Sequence, residues 1–407
     1  MKLVLMLLLF QVEPAWSEID NPLLLPMGEK ESLMGNSGVA AEGSAGNIFY
    51  NPAGLYALTG RKFSASGSAY AYVRGRTQVF DEGLDFDSIA TVPNMVAISR
   101  HIKSWTYAFG IFSPINFEGN IETQNQVSDA GLYLTLHSQF YTEEQFVGFA
   151  SGKDIGGGWS FGTSVFVHRY LNRTNSTVFA EPSPTAAYLS QSERTELEVL
   201  SLLPVIGLQK KMDNDLRLGL RISFPDVELL GRSRVKSEKL VSTTSSTVTK
   251  VNQDGNGHYR LPLDTALGAA WRFSGRHTIT CDLGVQWPTR FDSMPNQPKG
   301  TYFRTETTVR QNLGYEYKMS DDYSAVLGLS RNPSSVGNSR DKDGKLMDKN
   351  TFFGLDLGVY GKEGIATSGL GLFYRSSRGK ELVYNLERDK ISGFQVYGLT
   401  LTTSISY

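Results

Sequence analysis

From Lys62 onward, apolar and polar positions alternate along most of the chain. Leu216, Leu218, Leu220, Ile222 and Phe224 fall on one face, and Arg217, Gly219, Arg221 and Ser223 on the other. Ile279, Cys281, Leu283, Val285 and Trp287 oppose Thr280, Asp282, Gly284 and Gln286. Trp159, Phe161, Val165 and Val167 oppose Ser160, Gly162 and Ser164, and Phe353, Leu355, Leu357 and Val359 oppose Gly354, Asp356 and Gly358. A period of two predicts strands with one apolar and one polar face. About fourteen segments carry it, at 62–73, 92–101, 104–113, 144–151, 157–170, 200–211, 215–224, 261–273, 276–287, 305–318, 322–331, 350–361, 364–376 and 396–407.

Alternation alone does not name the solvent, because a soluble sandwich alternates too. Segment length and connection length do more. Most segments are near the ~10 residues of a membrane-spanning strand. Connections alternate between a few residues (102–103, 152–156, 212–214, 274–275, 319–321, 362–363) and long stretches (74–91, 114–143, 171–199, 225–260, 288–304, 332–349, 377–395). Short turns at one end and long loops at the other predict an all-β fold, a transmembrane antiparallel β-barrel, with both ends of the chain on the short-turn side. Trp105, Trp159, Trp271, Tyr315, Tyr317, Tyr323 and Tyr407 fall near that side and Trp287 near the other, as in interfacial aromatic girdles. Three places fit less well. Gln311 faces lipid between Val309 and Leu313, 364–376 has mixed faces, and 133–141 alternates weakly enough to be a further strand or part of an outer hairpin.

Composition agrees with an envelope protein. The 407 residues carry a formal net charge of -1, so no basic surface points to nucleic acid. Met1-Lys2, the apolar run 3–10 and the small residues Ala15 and Ser17 form an export signal over 1–17, cut after Ser17. Beyond it no apolar run approaches the ~20 residues of a membrane helix. Cys281 is the single cysteine, so no intramolecular disulfide forms. An exported chain of this length without disulfides points to the bacterial cell envelope.

Residues 18–60 do not alternate and are rich in Gly, Ala and Ser. Within them Asn51 is placed to cap a short helix, Pro52 suits its first position, and Gly60 can end it. Small residues also let a backbone thread a crowded lumen. The Gly/Ala-rich stretch from Gly35, the Asn51-Pro52-Ala53-Gly54 turn, the strand just after it and the aromatic end at Tyr407 together resemble the FadL/OmpP1/TodX family of outer-membrane transporters for hydrophobic compounds. The layout covers the whole mature chain, whereas the detailed motif covers 35–60. The resemblance implies a signal peptide (1–17), an N-terminal hatch (18–60) and a barrel of about fourteen strands (61–407). It also implies that outer loops capture the substrate and that an apolar pocket holds it until the hatch shifts. Release then runs sideways through the barrel wall. Glu42 is the one acidic residue in 41–51, where many relatives carry a pair of Asp.

The expected cargo is a hydrophobic small molecule, with long-chain fatty acids first. Such tails favour an apolar site by ~0.8 kcal/mol per buried CH₂. Candidate contacts are Ile115, Phe117, Leu132, Leu134 and Leu136 in the 114–143 connection, together with Arg217 and Arg221 for a carboxylate head group. Those two arginines, with Asp282 and Asp356, equally suit an internal ion-pair network that stiffens the barrel. Other expected partners are outer-membrane lipids and, through the strand ending at Tyr407, the barrel-assembly machinery. No cofactor or metal is expected. A non-specific porin and a surface adhesin, the latter suggested by the Ser/Thr-rich connections, are the alternatives. An outer-membrane lipase is the weaker third, because none of His101, His137, His168, His258 and His277 lies in a Gly-x-Ser-x-Gly setting or a His/Cys metal cluster.

Overall fold

The computed structural model describes residues 25–79, 82–127, 132–182, 188–242, 246–295, 301–335, 340–341, 349–381 and 390–407. The export signal expected at 1–17 therefore lies outside the described residues. The strands are β1 (Arg61–Val79), β2 (Glu82–Ile102), β3 (Trp105–Val127), β4 (Leu132–Gly156), β5 (Trp159–Pro182), β6 (Tyr188–Lys211), β7 (Leu216–Ser223), β8 (Val227–Ser242), β9 (Ser246–Gly255), β10 (Asp264–Phe273), β11 (His277–Gln286), β12 (Arg290–Asp292), β13 (Thr301–Arg304), β14 (Thr308–Lys318), β15 (Tyr323–Pro333), β16 (Arg340–Asp341), β17 (Lys349–Glu363), β18 (Ala366–Glu381) and β19 (Lys390–Ser406).

Fourteen of these pair antiparallel around a closed ring: β1 to β7, β10, β11, β14, β15, β17, β18 and β19. The first and last strands close it, with Lys62 opposite Ser406, and Arg61 and Tyr407 exchange backbone hydrogen bonds at 3.0 and 2.9 Å. Closure leaves no free ladder in the ring's lower part, the arrangement that lipid demands of a sheet. The outward positions are those the alternation assigns. Val165, Leu218, Leu283, Leu357 and Leu401 are all exposed on the outside, while the alternate residues Ser164, Asp282, Asp356 and Thr402 are buried inside. The uneven 364–376 segment is explained within β18. Leu370, Leu372 and Tyr374 face out, and Phe373 and Arg375 face in, where Arg375 pairs with Asp356 at 2.8 Å. Gln311 does face out, opposite Arg331, but near the upper start of β14 rather than mid-strand.

The long connections are the main departure from the sequence reading. Most of 74–91, 114–143 and 171–199 continues the barrel strands as paired ladder. Residues 133–141 extend β4 and add no strand to the ring. Above the lipid the outer face no longer needs apolar residues, so alternation fades while backbone pairing persists. There Arg169 bridges Glu143 and Glu198, and Arg173 meets Glu196. Stretch 225–260 holds β8 and β9, which extend the upper half of β6, and 288–304 holds β12 and β13.

The wall splits between β2 and β3. β2 and β3 pair from Ile102–Trp105 up to Met95–Phe112, and no ladder joins them higher among the described residues. β2 continues with β1, and β3 with β4. Pro93 and Pro114 stand at the fork, where each lacks the N–H that a central strand would use.

Candidate functional site

Residues 25–60 fill the lower lumen. A 3-10 turn (Glu31–Leu33), helix α1 (Asn47–Tyr50) and a 3-10 helix (Pro52–Ala57) are its only regular pieces. Asn51 caps the last of these as its sequence suggests: its side-chain oxygen accepts from the Ala53 N–H at 3.1 Å, and Pro52 occupies the first helical position. The same amide reaches further. Asn51 Nδ2 donates to Val39 O at 2.7 Å and lies 3.4 Å from both Leu208 O on β6 and Leu220 O on β7. Asn51 thus ties two turns of the segment to two strands.

The wall accepts this segment because it is glycine where the segment touches it. A Cβ on Gly152 would stand 2.6 Å from Pro52 O, one on Gly268 2.7 Å from Val39 Cβ, and one on Gly314 2.8 Å from Met34 Cβ. Cβ atoms on Gly162, Gly207, Gly219 and Gly328 would collide with Pro52, Asn51, Val39 and Gly35. Inward glycines therefore form a belt from β4 round to β15 that lets backbone lie against backbone.

Charged and polar ties complete the docking. Glu29 accepts from Lys62 at 2.7 Å, Ser64 at 2.8 Å and the Ala45 N–H at 3.0 Å. Lys30 meets Glu316 at 2.6 Å, Arg217 pairs with Glu42, and Asp282 accepts from Gly38 N at 2.7 Å and Val39 N at 2.9 Å. Tyr56 donates to Glu42 at 2.9 Å, and burial with that carboxylate pushes its hydroxyl up to about 12. Two of the docking residues, Glu29 and Lys30, precede the Gly/Ala-rich stretch, in "GEKE", and their partners lie tens to hundreds of residues away. The run itself was the only signal, and spacing along the chain carries none of the pairing.

At the wall split the N-terminal end of the segment covers the fork. Leu25 N–H donates to Pro114 O at 3.2 Å, and Asn94 Nδ2 donates to Pro26 O at 2.6 Å and to Ser68 at 2.9 Å. Asn36 receives Met27 N–H at 3.0 Å and Tyr50 Oη at 2.9 Å, which holds this end against the rest.

Above the segment lies a cavity of about 80 Å³. Phe49 projects up from helix α1 into an aromatic cage of Phe112, Phe146 and Phe166, with centroids 5.4, 5.6 and 6.1 Å away. Phe49, Phe146, Leu203, Leu261 and Ala266 supply the apolar lining. Arg221 and Arg310 line it too, and both hold the single carboxylate of Asp264, at 2.9 and 2.5 Å. Asp282 lines the cavity as well, so the two guanidinium groups face two carboxylates beside an apolar wall.

Of the residues expected to contact substrate, Arg221 alone lines this cavity. Arg217 sits lower, engaged with Glu42. Ile115 and Leu136 are buried on β3 and β4, away from it. Phe117, Leu132 and Leu134 lie on described backbone, but their side chains fall outside the described residues. Phe49, Phe146 and Arg310 were missed because nothing local separates an inward aromatic or arginine near the lumen segment from any other. Among the described residues no group of three His, Cys, Asp or Glu is placed to hold a metal.

No protein-family model matches the sequence, and no curated protein matches it either. Solved structures do match in fold. The Pseudomonas putida toluene transporter TodX shares 12% identity at a TM-score of 0.62, covering 95% of this chain and 100% of TodX. A Pseudomonas aeruginosa FadL homologue shares 12% at 0.60, covering 95% and 99%. The Ralstonia pickettii toluene transporter TbuX shares 12% at 0.62, covering 94% and 99%. With its closed ring of fourteen antiparallel strands and near-complete coverage in both directions, this chain has the fold of the FadL and TodX channels.

Proposed function

We propose that this protein carries hydrophobic small molecules inward across a bacterial outer membrane, with long-chain fatty acids as the first candidate cargo. Solved proteins of the same fold include toluene transporters and a FadL homologue, which supports an apolar cargo. The observation that carries the reading is the cavity above Phe49: a chamber with one apolar wall and a polar side that holds Arg221 and Arg310, in a barrel whose outside is apolar. A tail packs on Phe49, Phe146 and Leu203, while an anionic head takes a place beside Arg221 and Arg310 in exchange for part of their hold on Asp264. Residues 18–60 act as the hatch, with Asn51, Pro52, Ala53 and Gly54 as its wall-contacting turn.

The chamber, about 80 Å³, is smaller than an apolar cavity of ~150 Å³ that takes up benzene. Loading therefore requires movement of the hatch or of what lies above. Release runs through the split between β2 and β3 once Leu25 and Pro26 move off Pro114 and Asn94. A non-specific porin fits less well, because its open lumen is here filled by a docked segment. The catalytic alternative is not favoured either: His168 is wholly buried, bonded to Ser201 and stacked on Phe146 at 4.5 Å.

Uptake of labelled oleate, with a small sugar as control, tests this in cells lacking their own fatty-acid transporter. Oleate entry without sugar leakage, reduced by Asn51→Ala, is the expected result. Sugar flux without oleate preference would replace the carrier with a porin.

A further inference from the structure

Between β9 and β10 the chain does not loop outward. Residues 256–263 run along the inner face of the wall, and their last residues form the roof of the cavity, which Leu261 and Pro262 line. The crossing over β8 is possible because Gly231 faces Gly257; a Cβ on Gly257 would lie 2.6 Å from Arg232 O. Ser233 then donates to Asn256 O at 2.7 Å.

One side chain holds the middle of this strap. The Tyr259 ring lies flat on Tyr170, 3.8 Å between centroids at 1°, with Phe291 against it at 5.9 Å. Its hydroxyl donates to Glu144 Oε1 at 2.8 Å. His168 stacks on the cavity residue Phe146 and has Tyr259 at 5.9 Å, so Tyr259 and His168 form a layer directly over the chamber. Asp226, at the break between β7 and β8, fixes the strap's far end by accepting from Leu261 N–H at 2.9 Å. His258 adds a bond to Glu228 at 2.8 Å.

We propose that residues 256–263 are an outer gate to the cavity, and that Tyr259 and Glu144 are its latch. The gate has two fixed ends, β9 and β10, and a centre held by the Tyr259 stack, its bond to the buried Glu144 carboxylate, and the bonds of His258 to Glu228 and Ser293 O. That is the pattern of an element that opens as a unit. The hatch, by contrast, is tied by four separate charged contacts and a belt of close backbone approaches. The upper closure is therefore the cheaper one to open, and entry from outside precedes any hatch movement. Tyr259 and Glu144 act as positioning residues, and the gate concerns access to the cavity whichever apolar cargo uses it.

The test reads access rather than transport. Leu203→Cys, at a position in the cavity lining, is made in a Cys281→Ser background, and its labelling by a water-soluble maleimide is timed in purified protein. Glu144→Gln with Tyr259→Phe keeps the shape and removes the charge-assisted bond, so labelling should quicken about ten-fold. Arg217→Gln, which loosens a hatch tie, should leave the rate near its starting value. No quickening in a latch variant that retains heat-modifiable gel mobility overturns the gate. An equal quickening in Arg217→Gln would do the same, because access would then come from the hatch side. Oleate uptake is a separate readout, so failure of the cargo assignment and failure of the gate are distinguishable.

Discussion

Lys62 Nζ lies 2.7 Å from Glu29 Oε2, and both side chains are almost wholly buried. Lys62 is the second residue of the first barrel strand, and Ser404 of the last strand reaches the same carboxylate at 3.3 Å. Glu29 thus sits where the hatch meets the seam that closes the ring. Removing one partner of such a pair leaves a buried charge alone, at a cost of about 3–5 kcal/mol. Lys62→Met should therefore lower the urea midpoint for loss of the folded barrel, and Lys62→Met with Glu29→Gln should recover much of the loss. Equal midpoints for Lys62→Met and wild type would show that the pair contributes nothing.

Gly207 offers a steric test of docking. A valine there drives a side chain into the space occupied by Asn51 and the Pro52 ring. The barrel ladder has no need of glycine at that site, since β6 is regular on either side. Gly207→Val should thus assemble but carry a displaced hatch. In planar bilayers it should show ion conductance well above wild type, and its N-terminal segment should become protease-sensitive. A closed, resistant variant would mean that the hatch accommodates the methyl groups elsewhere.

The hatch also predicts a pH dependence. Burial, and then the neighbouring Glu29 carboxylate, hold the Glu31 carboxyl above its ordinary 4.5. An undocked segment titrates at the ordinary value. Between the two values the docked state binds more protons, so the contribution of Glu31 to docking is fully present below 4.5 and is lost as pH rises through the docked-state value. Pulse proteolysis of the hatch from pH 4 to pH 8 measures this, and Glu31→Gln should flatten the profile. A wild-type profile already flat would remove Glu31 from the account.

Arg221 separates cargo classes. Arg221→Met removes a charge-assisted partner for an anionic head group and leaves the apolar lining largely in place. Laurate affinity should fall roughly ten-fold or more, since a hydrogen bond to a charged group contributes about 1.5–3 kcal/mol. Affinity for a neutral hydrocarbon of similar length should change little. Equal losses for both ligands would mean that Arg221 shapes the chamber through Asp264 and contacts no head group.

The strands spanning the lipid were legible because lipid outside and a polar lumen inside force a period of two, as along 216–224 and 353–359. Above the lipid that constraint ends. Stretches such as 133–141 and 188–199 keep pairing without an apolar outer side, and the sequence pattern reads 188–199 as loop and 133–141 as a further strand or part of an outer hairpin. The cap at Asn51 was legible because it is local. Its donations to Val39, Leu208 and Leu220 were not. The lumen charges split in the same way. That Arg217, Arg221, Asp282 and Asp356 face inward follows from alternation. That Arg217 holds Glu42, Arg221 shares Asp264 with Arg310, Asp282 takes two hatch N–H groups and Asp356 holds Arg375 depends on which strands stand side by side.

By itself, then, the sequence determined which face of each strand is apolar, the class of fold and the presence of a compact capped turn ahead of the first strand. These follow from periodicity and local backbone chemistry, which act over a few residues. Only the tertiary structure decided where the wall forks, which glycines admit the hatch, and that 256–263 turns inward over the cavity. Each depends on contacts between residues far apart in the chain, such as Gly207 with Asn51 or Tyr259 with Glu144. Sequence spacing does not encode such a meeting until the ring has closed.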